Sequence, residues 1–198
     1  MNAELITAET ILDFWFDRPG FAAAGQPLRP RPEWFEKNEA FDALIRDRFE
    51  DAVEAALAGG LADWEAQAES ALALIILLDQ FTRNIYRGTP KAFAGDERAR
   101  AVAHKAIGRG LDIKVQPVMR QFFYLPFEHS ELTTDQDLAV LLFTALEKEL
   151  PGYDLLLWAE RHRDIIARFG RFPHRNAILG RDNTPEEIEF LKQPGSSF

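Results

Sequence analysis

The chain of 198 residues contains no cysteine. Without thiols it has no disulfide framework, no thiolate nucleophile, and no zinc or iron–sulfur site built on thiolate ligands. The chain is also short of positive charge, with 23 Lys and Arg against 32 Asp and Glu and a formal net charge of −9. Nucleic acids and anionic membrane surfaces bind basic protein surfaces. The charge balance therefore argues against both as partners.

Long apolar runs are missing as well. The longest unbroken one covers residues 71–78, whereas a helix needs about 20 apolar residues to cross a bilayer. The first seven residues, MNAELIT, lack the basic stretch that opens a signal peptide. We therefore predict a cytoplasmic protein without a membrane segment.

The common catalytic motifs are absent too. The chain holds no Gly-x-Ser-x-Gly, no Gly-x-x-x-x-Gly-Lys, no Gly-x-Gly-x-x-Gly and no His-Glu-x-x-His. Histidine and carboxylates crowd together only from His129 to Asp137, a stretch that is equally typical of a helix start with acids near its positive end. We predict no metal and no cofactor.

Helical periodicity dominates what is present. Large apolar residues recur at helical spacing over 33–57, with charged residues on the opposite face. The run 71–78, apolar on every side, favours a helix at the centre of the core. Thr followed by Pro and two acids at Thr184 is typical of a helix N-terminus with a capping box. Further helices are predicted after Thr7 and over about 63–79, 96–107, 117–125, 134–150 and 153–169.

These patterns predict an all-α fold of eight or nine helices in antiparallel pairs, forming a single domain over 1–198. The stretch 18–32 contains four prolines and two glycines. A segment of that composition is typical of a loop that runs over the surface.

A repeated Arg-Asn pair is the most specific polar feature of the sequence. Arg83-Asn84 and Arg175-Asn176 are each followed by a glycine at the same spacing, Gly88 and Gly180. A guanidinium and an amide suit an anion or a carboxylate as ligand. The same groups are equally suited to binding loop carbonyls and a buried acid such as Asp79, so ligand binding and structural roles both stay open.

Positive charge is concentrated around the two Arg-Asn pairs. Residues 83–120 hold nine basic and three acidic side chains, and residues 161–181 hold six Arg and one Asp. The two windows together carry +11, so the rest of the chain carries −20. Clustered like charge favours an anion-binding region, although ordinary surface pairs with the acidic helix over 33–57 would account for it equally well.

Several long motifs resemble a known family. They are ILDFWF over 11–16, DQFTRNIYRGTP over 79–90, FFYLPFEHSE over 122–131 and RFGRFPHRNAILGR over 168–181. With Trp34-Phe35 they resemble, over nearly the whole chain, the bacterial family called domain of unknown function 924. The resemblance implies a tetratricopeptide-like helical fold, and it brings no established activity. Two residues depart from the family pattern: Thr82 stands where proline is usual, and Glu128 stands where an apolar residue is expected, so we assign Glu128 no catalytic role.

Three hypotheses for function follow. The first is a helical binding module in which the two Arg-Asn pairs form a recess beside His129 for a small anionic molecule or an acidic peptide end. The second is an enzyme with His129 as general acid or base, assisted by Glu131 or His174. The third is a protein-interaction scaffold, as tetratricopeptide-like folds often are. The ligand-binding candidates are Arg83, Asn84, Tyr86, Arg87, His129, Arg175 and Asn176.

Overall fold

The computed structural model describes residues 6–17 and 28–197. Those residues form helices and turns and contain no strand, so the all-α prediction is confirmed. Nine α-helices lie within them, in agreement with the predicted eight or nine. They are α1 (Ala8–Phe16), α2 (Glu39–Leu57), α3 (Ala68–Ile75), α4 (Thr82–Ile85), α5 (Asp96–Gly108), α6 (Pro117–Glu128), α7 (Thr133–Leu146), α8 (Leu155–Phe169) and α9 (Pro185–Leu191).

The chain divides into two compact units. The first comprises residues up to Arg87 together with Lys91–Pro126, and the second comprises Gly88–Pro90 and the chain from Phe127 onward. The single-domain organisation and the tetratricopeptide-like arrangement stay predictions. Of the predicted loop over 18–32, residues 18–27 lie outside the described residues, and residues 28–31 are irregular as expected.

The first unit is built around one long helical stretch. α3 continues into a π-helical segment, Ile76–Phe81, and then into α4. Every residue from 71 to 78 is fully buried, which confirms the predicted core helix. α1 and α5 pack against α3, and α2 packs against the π-helical segment and α4. Buried rings complete this core, with Trp15 stacked on Trp34 at 6.1 Å between centroids.

The largest errors in the predicted helix boundaries fall on two helices. The helix over 33–57 begins only at Glu39, because the side chain of Asn38 accepts a hydrogen bond from the Phe41 N–H and caps it there. The helix predicted over 63–79 starts at Ala68 and, through the π-helical segment, runs on to Ile85. It does not end at Asp79, since the Asp79 carboxylate lies 3.1 Å from Nη1 of Arg83, one helical turn later.

The second unit contains α7 and α8, which pack against each other, and α9. α8 buries one stripe, formed by Ala159, His162, Ile165 and Ile166, and ends at Gly170 in the left-handed conformation (φ 68°). Phe172, fully buried, packs with the two isoleucines. The capping box predicted at Thr184 is present at the start of α9.

Candidate functional site

The first Arg-Asn pair lies in α4, inside the first unit. Arg83 donates two hydrogen bonds to the Asp96 carboxylate, from Nη1 to Oδ1 at 2.9 Å and from Nη2 to Oδ2 at 3.1 Å. Nη1 also donates to the carbonyl oxygen of Asp79 at 2.6 Å. Burial alone would lower the pKa of Arg83, but the Asp79 and Asp96 charges raise it above its ordinary value. These contacts favour the structural role for Arg83.

Asp42 on α2 binds two further candidates of the first Arg-Asn pair region, Asn84 and Arg87. It accepts Asn84 Nδ2 at 2.7 Å and Arg87 Nε and Nη2 at 2.8 and 2.9 Å. Burial would raise the pKa of Asp42, but the hydrogen bonds from Arg87 and Asn84 bring it below its ordinary value. The carboxylate therefore stays ionised and stabilises the turn.

Tyr86, the remaining candidate of this turn, donates its hydroxyl hydrogen to Glu54, which also pairs with Lys91. Burial and the Glu54 hydrogen bond raise the pKa of Tyr86. Each of the four candidates in the first unit thus has an acidic partner from the chain itself. Their role in ligand binding stays a prediction.

In the second unit, several predicted residues gather around one buried ring. The guanidinium carbon of Arg175 lies 4.5 Å from the centroid of the Phe172 ring. The His162 ring meets Phe172 edge-on with centroids 5.7 Å apart, and the His174 ring lies 5.6 Å away. His129 is next to His162, at 6.3 Å between ring centroids. We call these four polar residues, His129, His162, His174 and Arg175, the arginine–histidine cluster.

Glu131 and Asn176 border the cluster and are joined by Arg181. Arg181 binds Glu131 through two parallel hydrogen bonds of 2.8 and 2.9 Å, and its Nε donates to Asn176 Oδ1 at 2.9 Å. Glu131 also accepts the Phe172 N–H at 2.8 Å. Burial would raise the pKa of Glu131, but the Arg181 and Phe172 hydrogen bonds and the charges of Arg181 and Arg175 lower it. Glu131 is therefore an ionised partner of Arg181 at neutral pH.

His162 shows the most defined geometry in the cluster. Its Nδ1 lies 2.9 Å from the Trp158 carbonyl oxygen and 3.1 Å from Glu128 Oε1. Because a carbonyl oxygen only accepts, Nδ1 carries the hydrogen, and in the neutral ring the lone pair is on Nε2. Burial lowers the pKa of His162 to about 3, with the nearby His129, Arg175 and His174 adding to the shift. The ring is neutral at pH 7.

His174 is held neutral in the same way. Burial lowers its pKa to about 4, and the Arg175 charge adds to that shift, while Glu131 acts in the opposite direction. At pH 7 the cluster therefore contains the charge of Arg175 and at least two neutral rings that can accept or donate hydrogen bonds.

The lowered pKa values of His162 and His174 predict a loss of stability in acid. Below pH 6.5 the unfolded chain protonates His162 and His174, while the folded chain does not until about pH 3 and 4. Acid therefore favours the unfolded state, and the free energy of unfolding falls by about 3 kcal/mol between pH 6.5 and 5. Urea denaturation across this range measures the loss.

The His162→Gln variant is the control for this pH dependence. It removes one of the two titrating rings, so about half of the loss between pH 6.5 and 5 disappears. Glu131 and Glu187, whose pKa values are lowered in the folded protein, also destabilise it in acid. Their effect on the free energy of unfolding begins only below about pH 4.5, the pKa of a glutamate in the unfolded chain. A stability that stays constant down to pH 5 contradicts the buried neutral rings.

Sequence reasoning found His129, His174 and Arg175 but missed three residues of this region. His162 sits on the buried stripe of a helix, where a histidine between apolar residues gives no local signal. Glu128 was set aside as a departure from the family pattern, yet it contacts His162. Arg181 lies in the motif over 168–181 and in the basic window over 161–181, and these positions were the available signal.

Two further findings concern metal ions and membranes. Among residues 6–17 and 28–197, no group of three or more histidine or acidic side chains is arranged to hold a metal ion. Within the same residues, no helix combines the length and apolar character that crossing a membrane requires.

Fold and site together define an all-helical protein whose second unit contains the arginine–histidine cluster. Residues 11–195 match the model of the family described as bacterial protein of unknown function (DUF924), and the chain belongs to that family. The resemblance seen in the motifs is thereby confirmed. The chain is similar to the solved structure of ATU0120, a protein of unknown function from Agrobacterium tumefaciens, with 47% identity over 93% of this chain and 96% of that one and a TM-score of 0.79. No curated protein matches the chain.

Proposed function

We propose that this protein is a binding module whose arginine–histidine cluster takes a small anion with a carboxylate or phosphate group. The observation that carries the proposal is the position of Arg175: the residue is only 7% exposed, and its guanidinium carbon lies 4.5 Å from the centre of the Phe172 ring, which the rings of His162 and His174 also contact. Its positive charge contributes to the lowered pKa of Glu131, His162 and His174. A positive potential in a region of low dielectric stabilises an anion more strongly than the same charge in water.

Two acids lie beside the cluster: Glu128 contacts His162, and Glu131 accepts the Phe172 N–H. Glu131 forms its two parallel hydrogen bonds with Arg181, so its charge is largely balanced by that partner. The guanidinium carbon of Arg175 lies 4.5 Å from the centre of the Phe172 ring. Packing against this ring restricts the side chain and reduces the entropy lost when it binds a ligand. Arg175 would bind the charged oxygens, and the histidine rings would orient them.

Thermal unfolding in the presence of phosphate, citrate, acetate and nucleotides tests the proposal. A ligand at 100 times its Kd adds about 2.7 kcal/mol to the free energy of unfolding, which raises Tm by about 5 to 10 °C in a protein of this size. We expect such a rise for at least one of these anions and its loss in Arg175→Gln.

Arg87→Gln is the matched control, because Arg87 was also predicted to bind a ligand and is 41% exposed beside Asp42. The ligand effect should persist in that variant. If no anion raises Tm, or if the rise is the same in Arg175→Gln as in the wild type, the anion site is ruled out.

An enzyme is the second candidate, and the contact between Glu128 and His162 favours it. A carboxylate beside Nδ1 of a neutral histidine orients the ring and stabilises the imidazolium that forms when Nε2 takes up a proton. The original candidate His129 lies beside this pair. The scaffold hypothesis draws on exposed apolar residues of α7 and α8, Leu141, Leu157 and Trp158, and it stays a prediction.

A further inference from the structure

We propose that a cavity between α1 and α2, in the first unit, binds a short apolar peptide with free termini. The cavity has a volume of about 560 Å³, within the range of pockets that hold small organic ligands. The residues that line it combine three kinds of group: apolar side chains, an exposed arginine and a row of acids. The cavity is separate from the arginine–histidine cluster, and peptide binding there is independent of anion binding at Arg175.

The apolar part of the cavity is formed by two rings and a leucine. Phe14 on α1 and Phe41 on α2 both line it, and their rings are stacked with 5.4 Å between centroids and 9° between planes. Leu44, nearly one turn further along α2, also lines it and is 45% exposed. Water therefore contacts apolar surface here, and a ligand with apolar side chains gains free energy by removing that surface from water.

Arg48 supplies the positive group of this cavity. Its guanidinium carbon lies 4.9 Å from the centroid of the Phe14 ring and 5.0 Å from that of Phe49. Within residues 6–17 and 28–197, no hydrogen bond or ion pair engages the Arg48 side chain, which is exposed. A guanidinium that packs against a ring still presents N–H groups along its edge. Arg48 can therefore bind a carboxylate through two parallel hydrogen bonds.

Acidic residues of α1 line the same cavity. Glu9, Asp13 and Asp17 follow one another at intervals of four residues, so they share one face at the end and along the length of the helix. Like charges at this spacing repel each other. In the described part of the chain, the side chains of Glu9 and Asp17 have no hydrogen bond or ion pair with a basic group. A ligand ammonium group, with one positive charge and three N–H donors, would offset this repulsion.

A peptide matches these groups better than a simple anion or a simple cation does. Among the described residues, Arg48 forms no ion pair with Glu9 or Asp17 although all three line one cavity. A ligand that carries both charges can therefore bridge them. The acids extend over about 12 Å along α1, at 1.5 Å per residue, and a peptide separates its ammonium and carboxylate by up to about 3.5 Å per residue. Arg48 would bind the terminal carboxylate, the acids would bind the terminal ammonium, and the apolar side chains would pack on the rings and the leucine.

Isothermal titration calorimetry with the dipeptide Leu-Leu and two blocked forms of it tests the proposal. We expect saturable binding of Leu-Leu to the wild type. The C-terminal amide lacks the carboxylate, and the N-acetyl form lacks the ammonium. Each should bind about tenfold more weakly, because each loses hydrogen bonds between charged groups. Leucine alone, which offers a single apolar side chain, should also bind about tenfold more weakly than Leu-Leu.

Arg48→Gln tests the assignment of the carboxylate to this arginine. In this variant Leu-Leu should bind about tenfold more weakly than in the wild type, and about as weakly as its amide. Arg161→Gln is the matched control, because the exposed Arg161 lies at the same distance, 4.9 Å, from the ring of Trp158 on α8. It should keep the wild-type ratio of the two Kd values. Leu44→Gln should weaken the free and the amidated peptide by a similar factor, since it changes only the apolar contact.

A preference for the free carboxylate that disappears in Arg48→Gln and persists in Arg161→Gln supports peptide binding in this cavity. Three results overturn it: no binding of Leu-Leu to the wild type, equal binding of the free and blocked peptides, or a preference that Arg48→Gln does not change. Leucine that binds as tightly as Leu-Leu overturns the assignment to a peptide. Phosphate binding is measured separately at Arg175, so failure of one site leaves the other untouched.

Discussion

Replacing Gly95 with alanine should destabilise the protein by about 3 kcal/mol or more. A Cβ atom at this position would lie 2.1 Å from the carbonyl oxygen of Leu78 and 2.8 Å from its carbonyl carbon. Both are backbone atoms of the fully buried π-helical segment, so no flexible side chain can give way. Gly95 is the N-cap of α5, and its carbonyl accepts the Ala99 N–H at 2.8 Å. The substitution must push α5 away from the core helix, with the cost typical of severe overpacking.

Gly108→Ala is the matched control at the other end of the same helix. A Cβ atom there meets nothing within 4 Å, and alanine is the better helix former by about 0.5 to 1 kcal/mol. Urea denaturation should therefore show a large loss of stability for Gly95→Ala and a small gain for Gly108→Ala. Similar effects of the two substitutions would mean that α5 does not approach Leu78 as closely as described.

Removing the charge of Arg83 should produce the second large effect, a loss of about 3 to 5 kcal/mol in Arg83→Met. The arginine is the partner of Asp79, whose side chain is 1% exposed, and of Asp96, at 14%. Breaking a buried ion pair by removing one member leaves a desolvated charge behind, which costs far more than the pair contributes as a whole.

Two companion variants separate this explanation from simple loss of contacts. Adding Asp79→Asn to Arg83→Met removes part of the buried negative charge and should restore some of the lost stability. Arg168→Met, which breaks an exposed pair with Glu186, should cost less than about 1 kcal/mol. If Arg83→Met lowers the free energy of unfolding no more than Arg168→Met does, Arg83 does not stabilise the fold as described. A role for the first Arg-Asn pair in ligand binding then regains support.

Much of the first unit could be predicted because its signals are local. The run 71–78 is apolar on all sides, and the Ala-rich stretch before it and the length of the segment favour an enclosed helix over a buried strand. The π-helical segment could not be predicted, since Asp79 and Gln80 look like the polar end of a helix. They stay inside the helix because Arg83 pairs with Asp79 and Gln80 donates a hydrogen bond to Asp79. Arg83 also pairs with Asp96, which lies 17 residues after Asp79 in the chain.

The site could be predicted only where the type and spacing of residues indicate their chemistry. The repeated Arg-Asn pair identified Arg175, and the crowding of histidine and carboxylates identified His129 and Glu131. The same repeat led us to group Arg83 with Arg175, but their surroundings differ. Arg83 pairs with two acids, Asp79 and Asp96, whereas the Arg175 guanidinium packs against the Phe172 ring near two histidines. Contacts between residues 34 to 50 positions apart, such as those of Glu128 with His162 and Glu131 with Arg181, follow from packing, which spacing does not reveal.

Calorimetric titration of the wild type and Arg175→Gln with inorganic phosphate tests anion binding at the cluster most directly. We predict saturable binding with a stoichiometry of one in the wild type, unchanged in Arg87→Gln, and a loss of at least tenfold in affinity when the Arg175 charge is removed. Wild type and Arg175→Gln that bind phosphate equally, or a wild type that binds neither phosphate nor any carboxylate, would contradict an anion site at Arg175.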